Sequence, residues 1–163
     1  MIDAPFIAAY FSAEKQEALL FIAVGIAACL ASFWLWRTHS RLRGMAGPLL
    51  AIAAIQIVVG ATVYFRTDAQ VAAIHAQRQT APAAFKAEET KRMALVMRNF
   101  ELYKRIEIAL LALGAASAVA LRRRHPYWFA FGLGLALQAA FMLVLDLFAQ
   151  SRAHDYLGAV MAG

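Results

Sequence analysis

Few residues of this chain have side chains that could do chemistry, and most of those few stand in apolar surroundings. Gln56 and Gln138 each interrupt a run of hydrocarbon side chains, PLLAIAAIQIVVGATVYF (48–65) and YWFAFGLGLALQAAFMLVLDLFA (127–149). Hydrocarbon penalises polar groups, so an amide in such a run needs a partner or a purpose. Hydrogen bonds between helices there contribute about 0.6 kcal/mol and seldom above ~2. If both runs cross a bilayer they run the same way, which brings the two amides to similar depth. They then either glue two helices together or form a polar step on a pathway.

A second group collects where the apolar runs end: Arg66, Lys104, Arg105, Glu107 and Asp146, followed by Arg152, His154 and Asp155. Glu107 and Asp146 each enter an apolar segment and so require a counter-charge, for which Arg66 and Arg105 are the expected partners. The cluster reads either as a ring of ion pairs fixing where the chain leaves the membrane, or as a site for a headgroup, an ion or a substrate.

Other chemistries lack their residues. The single cysteine, Cys29, lies between Ala28 and Leu30, so neither an intramolecular disulfide nor a cysteine-based zinc site can be built. His39, His75, His125 and His154 fall outside the apolar runs, whereas a membrane haem needs axial ligands within them. No HExxH, GxSxG, CxxC or Walker pattern occurs. No catalytic, metal-binding or cofactor-binding residue is therefore assigned, and no cofactor is expected. The formal net charge of +6 does not suggest nucleic acid, because Arg37, Arg41, Arg43 and Arg122 to Arg124 flank apolar segments as membrane-edge arginines do.

The elements that must position these residues are helices. Of the 163 residues, 63% are hydrophobic and only 16% charged, against about a quarter charged in a soluble domain. The expectation is an all-α integral membrane protein, one domain over 1–163. It has four transmembrane helices, at 17–36, 48–66, 104–121 and 127–149, each close to the ~20 residues that a hydrocarbon core requires. Residues 1–16 read as an interfacial helix: Asp3 caps it, Pro5 fits its first turn, and Phe6, Ile7, Tyr10 and Phe11 share a face suited to the headgroup level. Residues 150–163 read as a short tail. Small residues at three- or four-residue spacing (Gly25, Ala28, Ser32; Gly114, Ala118; Ala130, Gly134) imply close helix approach.

Nothing between Phe65 and Gln79 breaks a helix, and Thr80-Ala81-Pro82 is the one interruption before Leu121. Helices 2 and 3 are thus expected to run on beyond the bilayer as an antiparallel helical hairpin over 67–103, about 30 Å tall. Met93, Val96, Phe100 and Tyr103 recur at helical spacing, and the simplest partner for that stripe is Val71 and Ile74 on the ascending arm. Met93, Met97, Phe100 and Tyr103 are also the candidate contacts for a partner protein.

Loops 37–47 and 122–126 hold six arginines and no acid. By the positive-inside rule this puts them in the cytoplasm and the termini and hairpin outside, in a bacterial inner (plasma) membrane. The functional reading is a non-enzymatic membrane protein of accessory, scaffold or immunity type, presenting the hairpin to a protein partner. One alternative is a homo-oligomeric channel or transporter with Gln56 and Gln138 on its pathway. A second is a lipid-modifying enzyme at the outer interface, using Glu107, Asp146 and His154.

Overall fold

A computed structural model of the protein describes residues 4–38 and 40–162; Asp3 and His39 lie outside them. Four long helices account for almost all of it: α1 (Ala4–Arg37), α2 (Ala46–Thr80), α3 (Pro82–Leu121) and α4 (Pro126–Ala162). A single 3₁₀ turn, Arg43–Met45, leads into α2. At ~1.5 Å per residue the helices are each about 50–60 Å long. Proline starts two of them, at Pro82 and Pro126, where its missing N–H breaks no bond. Between α2 and α3 only Ala81 leaves helical geometry (φ −147°, ψ 73°).

The helices pack as two antiparallel pairs. α1 lies along α2 and α3 along α4, and the pairs meet along much thinner seams. Absent side chains allow the closeness within each pair. A Cβ on Gly114 would lie 2.6 Å from the Ala136 amide nitrogen and 2.7 Å from the Gly132 carbonyl oxygen; one on Gly132 would meet the Gly114 carbonyl oxygen at 2.7 Å. The inner end, nearest the arginine-rich turns, is filled by Leu35, Met45, Leu49, Ala53 and Ala130.

The opposite end differs from the sequence-based expectation. No break separates residues 4–16 from 17–36: they lie in one helix, α1. Residues 150–162 are not a loose tail but the last turns of α4. All four helices therefore run side by side at this end, and the hairpin of α2 and α3 is half of a four-helix head. Ile7 and Phe11 of α1, Ile74 of α2, Phe85 and Met93 of α3, and Ala153, Tyr156 and Val160 of α4 form its core. Tyr156 stacks on Tyr10 with ring centroids 4.2 Å apart. The face of α1 expected to lie in headgroups is covered by α4 instead.

Three helices are long and apolar enough to cross a membrane: α1, α2 with its 3₁₀ entry, and α4. They fit a membrane bundle. α3 is not among them. Its apolar stretch, Ile106–Leu121, includes Glu107 and is bounded by Lys104-Arg105 and Arg122 to Arg124, so a span-length window takes in several charges.

Candidate functional site

Between the two helix pairs lies a cavity of about 660 Å³, within the range of small-molecule sites. Its wall draws on all four helices. The outer core closes it at one end. Towards the other, Gln138 Nε2 donates to Gln56 Oε1 at 2.5 Å, joining α4 to α2. Both amides are buried, Gln56 completely, so the pair faces the inside of one chain and not a neighbouring subunit. That is the arrangement of interhelical glue, with one donor to spare: Gln56 Nε2 has no hydrogen-bond partner among the described residues.

The two long sides of the cavity are unlike. On the α1/α4 side, Arg152 donates to Glu17 and the stack of Tyr10 on Tyr156 continues the seam outward. On the α2/α3 side, Gln77 Nε2 donates to Glu88 Oε2 near the hairpin tip. Lower down, Ile55, Val58 and Val59 of α2 and Tyr103 and Ile106 of α3 line the cavity, yet each is about half exposed to the outside or more. Residues that face both ways are lips. The cavity opens sideways between α2 and α3, through a mouth that is mainly apolar but also takes in the exposed Thr62 and Arg66.

Its interior is charged. Glu14, Glu17, Glu107 and Asp146 line it, together with Arg66, Arg92 and Arg152. Burial raises the Glu14 carboxyl above its usual range against the pull of Arg66, whose Nη2 lies 3.7 Å from Glu14 Oε1. Arg92 is committed to Glu89, through Nε at 2.8 Å and Nη2 at 2.7 Å. Glu89 is only 4% exposed, and it also accepts the Tyr156 hydroxyl at 2.8 Å. Burial, then the adjacent Glu89 carboxylate, pushes the Tyr156 hydroxyl far above its usual range, and burial does the same to Tyr10.

The interfacial charge cluster expected from the sequence is divided. Arg66 meets Glu14, not Glu107 or Asp146. Lys104 donates to Glu101 at 2.6 Å and to Gln150 at 3.2 Å. Arg105 is exposed. Glu107, expected to pair with an arginine, has no cationic partner among the described residues: it is 3% exposed, and the group beside it is the Asp146 carboxyl, close enough to share a hydrogen bond with it. Of the two expected partners, Arg66 faces Glu14, on a helix that continues past the apolar run, and Arg105 points to the exposed side of α3.

The candidate partner contacts also turn inward. Met93 is fully buried, and Val96, Met97 and Phe100 pack against the outer core. Tyr103 stands at the cavity mouth. The sequence reading missed Glu14, Glu17, Glu89 and Arg92. Nothing in Glu88-Glu89 distinguishes a buried carboxylate from a solvated one. Ala153, Tyr156 and Val160, by contrast, carry a legible three- and four-residue spacing within the supposed tail.

Compared with protein families, with curated proteins and with solved structures, the chain shows no match.

Proposed function

We propose that the protein is a four-span membrane protein that binds an amphiphilic molecule taken sideways from the bilayer. The polar head lies in the charged cavity and the apolar tail leaves between α2 and α3. One observation carries this reading. Among the described residues, every buried side-chain polar atom without a protein partner belongs to Glu14, Gln56 or Glu107, and all three line this one cavity. Buried polar atoms normally find partners, so atoms gathered around one opening are there for a ligand. Most side chains at the mouth are apolar, as at a lipid-side entrance, with Arg66 at its edge.

The reading takes α3 as the fourth span, with Ile106–Leu121 in the bilayer and Glu107 shielded from lipid by the bundle. It takes the arginine-rich turns as cytoplasmic in a bacterial inner membrane, and the four-helix head as external. A contact with a protein partner through Met93 would require that core to open, so binding by that stripe is the weaker proposal. Leu95 and Leu102, more than half exposed, are better placed for one. A pathway through Gln56 and Gln138 is weaker too, since Gln138 is bonded directly to Gln56 and both amides are buried within one chain.

Native mass spectrometry after mild detergent extraction tests the proposal. Wild-type protein should retain an amphiphile as a discrete adduct. Val59→Trp and Ile106→Trp, which fill the lips, should lose it while keeping helical circular dichroism. Wild-type protein free of adduct, or adducts unchanged in both variants, would overturn it.

A further inference from the structure

Glu107 and Asp146 bring two carboxyl groups together with no cation beside them among the described residues. Glu107 comes from α3 and Asp146 from α4, so the two carboxyl groups meet across a packed seam and both line the cavity. Glu107 is 97% removed from solvent by its 3% exposure, with both oxygens lacking a donor. The cations nearby are spoken for: Arg66 with Glu14, Arg152 with Glu17, Lys104 with Glu101 and Arg92 with Glu89. Glu17, a third acid, is close enough to feel Asp146. Two carboxyl groups in a low-dielectric site relieve their repulsion by sharing a proton, which leaves one negative charge with no cation beside it.

The donor set limits what that charge is. A divalent metal ion favours several ligands in a fixed geometry, yet among the described residues no group of three or more His, Cys, Asp or Glu side chains is placed to hold one. An ammonium group needs no such set. It brings a single positive charge and up to three N–H donors, which match the single negative charge and the free acceptor oxygens of such a pair. Resting on the amphiphile reading above, we propose that Glu107 and Asp146 bind the primary ammonium head of that amphiphile, with the tail leaving through the α2/α3 mouth.

The probes are dodecylamine, protonated at pH 7, dodecanol of equal chain length, and methylammonium and sodium ions without a tail. Thermal protection of the purified protein in one detergent is read for wild type, Glu107→Gln and Asp146→Asn. Dodecylamine should protect wild type at concentrations at least about tenfold below dodecanol. Each variant should lose that tenfold preference and still be protected by dodecanol. Equal protection of wild type by the amine and the alcohol would overturn the ammonium site and leave the cavity reading standing. Protection by methylammonium or sodium alone at the same concentrations would also overturn it, by making the tail irrelevant. Protection by no probe would overturn the cavity reading with it. Two conservative variants on different helices keep the result readable if one folds poorly.

Discussion

Met93→Ala is the substitution that most directly tests the four-helix head. Met93 is fully buried in the outer core, beside Phe11, Phe85 and Tyr156. This part of the molecule lies beyond the proposed bilayer, so water drives its packing. Truncating a buried methionine to alanine costs about 2–5 kcal/mol, combining lost transfer energy with the cavity left behind. At 1.36 kcal/mol per factor of ten, the opening equilibrium of the head should rise about 30-fold to several thousand-fold. Amide hydrogen exchange reports that opening locally, and the amides from about Phe85 to Phe100 should speed up by that factor. Leu95→Ala supplies the contrast: it is two residues away on the same helix but 58% exposed. Its effect should stay within about 0.5 kcal/mol, or roughly twofold. If Leu95→Ala accelerates exchange and Met93→Ala does not, the apolar stripe of α3 faces outward and the head core described above is wrong.

Three further outcomes are expected. Gln56→Leu and Gln138→Leu should couple in a double-mutant cycle by about 0.6–1.7 kcal/mol, the pair together costing less than the sum; additive effects in detergent unfolding would contradict the direct amide bond. Gly114→Ala should destabilise by about 1–3 kcal/mol, because its methyl group meets backbone of α4 at 2.6–2.7 Å, whereas Gly158→Ala, with nothing within 4 Å, should stabilise by about 0.5–1 kcal/mol. A melting temperature lowered by the second or raised by the first would refute the packing. The folded state holds the Tyr156 hydroxyl protonated above its ordinary pKa of 10.0, so the stability this contributes is complete below pH 10 and is lost as pH rises beyond it. Tyr156→Phe should therefore flatten the alkaline fall in melting temperature, and an unchanged slope would count against the buried hydroxyl.

The apolar runs of α1, α2 and α4 were legible because the hydrophobic count over a span's length leaves little choice. So was the joint at Thr80-Ala81-Pro82, where proline removes a donor. The extent of α1 and α4 was not. Phe6, Ile7, Tyr10 and Phe11 mark one apolar face, and periodicity cannot say whether lipid or another helix covers it; the answer lay about 145 residues away, in Tyr156. The amides at Gln56 and Gln138 were correctly matched in depth, because counting residues from the ends of two apolar runs is enough for that. The ion pairs were misassigned because height along a helix is readable from sequence but azimuth between helices is not. Glu107 and Asp146 stood out as intrusions into apolar runs, yet their mutual contact emerges only once α3 and α4 are laid side by side.

The single non-helical residue at Ala81 has a consequence for how this polypeptide can be divided. Each half of the chain already owns its tightest seam, α1 against α2 or α3 against α4. A nick at Ala81 removes only a tether. Two fragments made separately would retain the surfaces by which they recognise each other, losing no more than the raised local concentration that a covalent link provides.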